Sequence, residues 1–137
     1  MARKPSPDRV RARIAAIVER LPEGKAAKVD SPTGDHMSLE VRGRRFGWFL
    51  SNHHGDGRIA LSCKVPALVA AQLQSVVPEQ FHIPKYVGSK GWIGLWLDVP
   101  GVDWDQVEIC LLESYRTVAP KKLLAQPPFN YDSPKRI

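Results

Sequence analysis

Two adjacent histidines, His53 and His54, stand with Asp56 in the run Ser51-Asn52-His53-His54-Gly55-Asp56-Gly57. Imidazole and carboxylate are metal-ligand types, yet neighbours on a short loop rarely converge on one ion, and no further ligand follows at zinc-like spacing. A turn shaped by Asp56-Gly57, with the imidazoles hydrogen-bonding the loop, is the favoured reading. If the imidazoles meet phosphates instead, binding strengthens below about pH 6.5, where histidine gains its charge. A second candidate is Gly88-Ser89-Lys90-Gly91, flanked by Lys85. It is too short for a nucleotide fingerprint, and reads as a glycine turn whose amides and lysines could hold a phosphate. Asp98, Asp103, Asp105 and Glu108 lie at or near an expected helix start, where capping and the helix dipole account for them better than acid-base catalysis does. No nucleophile, base and orienting group can be nominated together, so neither an enzyme nor a cofactor or metal site is expected. Trp48, Trp92, Trp96 and Trp104 read as core or rim packing. An exposed Trp92 beside Lys90 would favour stacking on an unpaired base.

These residues need elements to position them. Ser6-Pro7-Asp8 marks a helix start, with Pro7 in the first turn and Asp8 near the positive end of the dipole. Val10, Ile14, Ile17, Val18 and Leu21 then form one apolar stripe before Pro22. Residues 23 to 36 read as a connecting loop. Met37, Leu39 and Val41 alternate with polar residues, Gly43 turns the chain, and Arg45 to Leu50 returns with Phe46, Trp48 and Leu50 on one face and Phe49 on the other. The Ser51 to Gly57 loop leads to a third strand, Arg58 to Lys64. Pro66 opens a short helix ended by Pro78, Phe81 to Ile83 reads as a short strand, and Trp92 to Leu97 as a surer one. Asp103 caps the last helix, Gln106 stands where a capping-box partner belongs, and Pro120 ends it. Cys63 and Cys110 lie within apolar patterns without paired spacing and read as buried free thiols. The expected class is α+β, a two-layer, antiparallel sheet with helices packed on one face, in the order α-β-β-β-α-β-β-α.

Four groups of residues resemble the MmcQ/YjbR family. They are Glu40-Val41-Arg42-Gly43-Arg44-Arg45-Phe46; His53-His54-Gly55-Asp56-Gly57-Arg58 with Leu61 and Cys63-Lys64; Tyr86-Val87-Gly88-Ser89-Lys90-Gly91-Trp92-Ile93-Gly94; and Asp103-Trp104-Asp105 with Ser114-Tyr115-Arg116 and Ala119-Pro120-Lys121. The match spans about residues 8 to 124. It implies an α-β3-α-β2-α domain similar to secretion-chaperone-like and CyaY-like folds, and a family described as DNA-binding through a double wing of hairpins. The wings would correspond to the Gly43 turn and the Ser51 to Gly57 loop. Residues 1 to 7 then form a flexible N-terminus, and residues 125 to 137 a Pro-rich basic tail.

A chain of 137 residues with a formal charge of +6 and a pI near 9.6 suits one basic domain. Basic residues concentrate in the first 28 positions, acidic ones between 102 and 119. Such a field recruits nucleic acid, acidic protein or anionic lipid without distinguishing them. No apolar run approaches a membrane span, so a cytoplasmic protein with no membrane partner is expected. The first functional expectation is a DNA-binding domain in which Arg44, Arg45, His53, His54, Arg58, Lys85 and Lys90 meet phosphates with little sequence specificity. The alternative is a protein-interaction or self-associating domain using an exposed sheet face, drawn from Phe49, Ala60 and Gly47, or a sheet edge.

Overall fold

The computed structural model describes residues 6–32, 34–84 and 90–127, and the remaining positions, including Lys85 and most of the Gly88 turn, lie outside them. Its first helix, α1 (Pro7–Glu19), starts where Pro7 fits the first turn. Ser6 occupies the cap position without a side-chain bond; its carbonyl takes the Val10 N–H at 3.1 Å. Val10, Ile14, Ile17 and Val18 are buried along the expected stripe. After Leu21 the chain turns tightly into a strand, and Gly24 allows the turn: a methyl group at its Cα would lie 2.1 Å from the Val18 carbonyl oxygen.

That strand, β1 (Gly24–Ser31), occupies most of the stretch expected to be a loop, and it pairs along its whole length with β2 (Gly34–Val41). Its pattern escaped detection because Ala26 and Ala27 replace the large apolar residues that announce a strand, while Lys25 and Lys28 are exposed. Small residues and lysines suit an edge, where charge discourages further pairing. Two left-handed residues, Arg42 (φ 50°) and Gly43 (φ 76°), then form a two-residue hairpin turn into β3 (Arg44–Ser51). Glu23, itself left-handed at φ 57°, holds Arg42 through two 3.0 Å contacts.

A single 3₁₀ turn, His53–Gly55, separates β3 from β4 (Ile59–Lys64). Then follow α2 (Ala67–Val76), β5 (Phe81–His82), β6 (Trp92–Trp96), α3 (Trp104–Val118) and the one-turn α4 (Lys121–Leu124). The strands form one antiparallel sheet in the order β1-β2-β3-β4-β6-β5. Helices cover one face of it, so the α+β two-layer class stands with one more edge strand than the sequence suggested.

The covered face is the core. Met37, Phe49, Leu61 and Leu95 lie opposite one another across four strands, and all four are buried. Each such side chain contributes about 1.5–3 kcal/mol by leaving water. A bulge between Leu39 and Glu40 shifts the pairing so that Arg45 faces Glu40 while Phe46 has no partner. The shift turns Phe46 away from the face of Trp48 and into the core, where it meets Tyr115 edge to face at 5.8 Å. Expected on one face, Phe46 and Trp48 therefore diverge. The Tyr115 hydroxyl donates to the Pro22 carbonyl at 2.6 Å, tying α3 to the α1–β1 turn, and burial raises its pKa to about 12.

Asp103 caps α3 by accepting from the Gln106 N–H at 3.2 Å. The reciprocal bond of a capping box comes from elsewhere: Gln80 Oε1 accepts the Asp103 N–H at 2.8 Å. Cys63 and Cys110 are buried free thiols, and a hydrogen bond to Cys63 together with burial pushes the Cys110 thiol well above its usual range. Among the described residues no helix is long and apolar enough to cross a membrane.

Candidate functional site

The strand alternation that sends Phe49 and Leu61 to the core sends their neighbours to the opposite face, which no helix among the described residues covers. One row there is His36, Leu50, Ala60 and Trp96; the next is Ser38, Trp48, Ser62 and Gly94, with His82 beside Gly94. A further row holds Lys64 opposite the half-buried Trp92. The face expected from Phe49, Ala60 and Gly47 is thus divided. Ala60 lies on the open side, whereas Phe49 is buried, and a methyl group on Gly47 would meet Cys63 Sγ at 3.0 Å and Leu39 at 3.2 Å.

Over this open face lies a groove of about 760 Å³ whose lining includes Trp48, Leu50, Ala60, Trp96 and all four histidines of the chain. That volume falls in the range of sites for small organic ligands, which are largely apolar with a few convergent polar groups. Val29 of β1 and Ile83-Pro84 after β5 form its sides.

The loop from Ser51 to Arg58 closes one end. Asn52 (φ 55°) and His54 (φ 54°) both adopt the left-handed conformation, as do Gly55 and Gly57. Holding two non-glycine residues there costs on the order of 1 kcal/mol each, and such strain concentrates at functional loops. It persists because the loop is bonded across itself. Asn52 N–H donates to the Arg58 carbonyl, Gly57 N–H to Asn52 Oδ1, and Arg58 N–H to Asp56 Oδ1, each at 2.8 Å.

The effect is to gather imidazoles at the groove mouth. His53 Nδ1 and His36 Nε2 share a hydrogen bond of 3.1 Å, and the His53 and His54 rings are 4.2 Å apart. One ring of the bonded pair must donate and the other accept, so the pair loses this bond if both are protonated. Burial lowers the pKa of both, and the neighbouring imidazoles push His53 further down. Both shifts favour the neutral form of the bonded pair. His82 is also lowered, by burial first, and its ring stacks on Trp96 at 3.9 Å with planes 19° apart. Gly94 makes that seat available, since a methyl group there would come within 2.2 Å of His82 Nε2.

Two arginines complete the face. Arg58 lies 3.8 Å over Trp96 and grips Asp98 with both its Nε and Nη2, at 2.9 Å each for the shortest contacts. Asp98 also accepts the Ile59 N–H at 2.9 Å. Burial alone would raise the Asp98 pKa, but these bonds outweigh it and hold the carboxyl below its usual value. Asp98 is thus a clamp on the start of β4, a role its place before α3 did not reveal. At the other end of the face, Arg45 lies 4.1 Å over Trp48 and donates to Ser38 Oγ at 2.8 Å.

The residues expected to meet phosphates are therefore split between two ends of the sheet. Arg44 and Arg45 begin β3, while His53, His54 and Arg58 cluster past its end, roughly 25 Å away for an eight-residue strand. Lys90 is exposed near the Arg45 end, where the Gly91 carbonyl accepts the Val65 N–H. Lys85 lies outside the described residues. Sequence reasoning found the cluster's loop but missed His36, His82, Trp48 and Trp96 as partners in one site. The tryptophans carried a signal in their alternation within strands, whereas His36 ends a stretch that reads as loop and His82 sits in a strand of two residues. Among the described residues, no group of three or more His, Cys, Asp or Glu is arranged to hold a metal ion.

Fold and groove together define a two-layer α+β domain with an accessible aromatic sheet face. No family model matches the chain, and no curated protein matches it in sequence. Among solved structures it is similar to the crystal structure of the Deinococcus radiodurans protein DR2400, a DUF419 domain, with a TM-score of 0.57. The likeness covers 90% of this chain and 83% of that one at 17% identity, which shows a shared fold.

Proposed function

We propose that this protein is a non-enzymatic nucleic-acid-binding domain of MmcQ/YjbR type that uses the open sheet face instead of hairpin tips. The observation that carries the reading is the pairing of each groove tryptophan with an arginine, Arg45 on Trp48 and Arg58 on Trp96. Indoles and guanidinium planes are the groups on which bases stack, and lysines beside them meet the backbone. Lys64 and Lys90 stand at the Arg45 end of the face, and the chain as a whole carries +6. Double-wing binding through both hairpin loops at once is less well supported, because Arg58 is already neutralised by Asp98.

Fluorescence anisotropy with a labelled mixed-sequence oligonucleotide tests the proposal. Counterion release predicts that affinity falls roughly tenfold or more between about 50 and 200 mM salt for even two or three phosphate contacts. Absence of binding at low salt, or binding indifferent to salt, would refute it. A protein partner on the same face is the second reading, favoured by the apolar Val29, Leu50, Ala60 and Ile83 along the groove. Salt-insensitive self-association blocked by Leu50→Glu would support that reading.

A further inference from the structure

The groove's interior and the rim around it differ in charge. Inside, Arg58 is cancelled by Asp98, and the four imidazoles are packed among one another and the indoles. Along the face toward the start of β3 lie Arg45 and Lys64, with Lys90 nearby. A ligand that complements both must carry flat, uncharged, hydrogen-bonding rings on an anionic thread. A single nucleic-acid strand has that composition; a duplex, whose bases are stacked inward, presents only the thread.

We infer that the groove between Trp48, Trp96 and the His36–His53 pair is a pocket for unpaired nucleobases, which makes the domain a reader of single strands. This inference rests on the nucleic-acid reading above and narrows it. An aliphatic side chain in the same place would remove water from the imidazoles and return no hydrogen bond, which costs free energy. A base edge carries both donors and acceptors; His36 is already engaged at both nitrogens, by Ser51 N–H and by His53, so His53 Nε2 and the His54 and His82 rings are the groups that meet it. The 760 Å³ volume exceeds what a single base needs and leaves room for a nucleoside with its neighbour. The loop bearing His53 and His54, fixed in its left-handed conformation by its own hydrogen bonds, is a preformed wall for a bound base.

The test compares four probes at one moderate salt concentration: a single-stranded oligonucleotide, its duplex, an abasic strand with the same phosphates, and free nucleosides followed through histidine ring carbon–proton NMR signals. The expected result is single-strand affinity roughly tenfold above duplex and abasic strand, the range found for loss of one stacked base. Trp48→Ala should lose that advantage, Trp48→Phe should keep most of it, and His53→Ala, on the loop and outside the core, should weaken it in protein whose circular dichroism shows the fold retained. Nucleosides should shift the His53 and His82 signals.

If the abasic strand binds as well as the intact one, the base pocket is wrong while the nucleic-acid reading survives. If no oligonucleotide binds but nucleosides shift His53 and His82, the nucleic-acid reading fails and the pocket stands as a base site. Absence of both oligonucleotide binding and nucleoside shifts overturns the two together.

Discussion

The two faces of one sheet have been built for different ends. On the covered face, Met37, Leu39, Phe49, Leu61 and Leu95 are aliphatic or simple aromatic groups with no polar atom to satisfy, and α1 and α3 bury them completely or nearly so. On the open face the corresponding positions carry imidazole, indole and hydroxyl groups, several of them buried or half-buried beside one another with no helix among the described residues packed over them. A face needed only for solubility would be charged and dispersed. Concentrating all four histidines there, two of them on a loop with left-handed residues, is a use of side chains that stability alone does not explain.

Substitutions can break or sharpen this contrast. The largest expected effect is on the covered face: Leu61→Ala should lower unfolding free energy by about 3 kcal/mol, because its cavity lies inside a closed core. Trp48→Ala, across the sheet, should cost less, about 2 kcal/mol, since the indole is only partly buried. Urea unfolding of both variants checks this, and equal losses would mean that the open face is a second core. Next comes Asp98→Ala, which leaves Arg58 without its partner and the Ile59 N–H without an acceptor. Asp98 is deeply buried and Arg58 only partly so, and a loss of about 2 kcal/mol in the same measurement is expected after allowing for solvent screening.

A smaller effect is set by pH. His36, His53 and His82 all have pKa values lowered by burial, so between their folded values and the ordinary value near 6.5 the unfolded chain binds more protons. Stability is therefore full above about pH 6.5 and declines as the pH falls through that window. Asp35 and Asp56 oppose the decline in the His36–His53 cluster, and Arg58 reinforces it at His82. Thermal melts from pH 7.5 to 5 should show the fall, and His36→Gln should reduce it; a flat profile would remove the histidines from the stability balance. The smallest effect is local. His54→Gly relieves a left-handed conformation and should raise stability by about 0.5 kcal/mol, while lowering any ligand affinity that depends on the third imidazole.

Much of the fold was legible in the chain because its signals are local. The α1 stripe, the Asp103 cap, the left-handed turn at Gly43 and the alternation of β2 each depend on residues within a few positions of one another. β1 was not legible, since Ala26 and Ala27 announce no strand until β2 pairs with them. Of the candidate site, the His53-His54 loop stood out by composition alone. His36 and His82 did not, because nothing in their immediate neighbours marks them.

By itself, the sequence determined a basic two-layer α+β chain, the positions of most helices and strands, and the residues that alternate together. Only the tertiary structure decided which alternating set is covered, because period two assigns residues to a common face without saying where the helices pack. The bulge opposite Leu39 and Glu40 then separated Phe46 from Trp48, and cross-strand pairing carried His36 to His53 and His82 to Trp96. The groove exists because strands distant in sequence lie less than about 5 Å apart in the sheet, a proximity that no local pattern encodes.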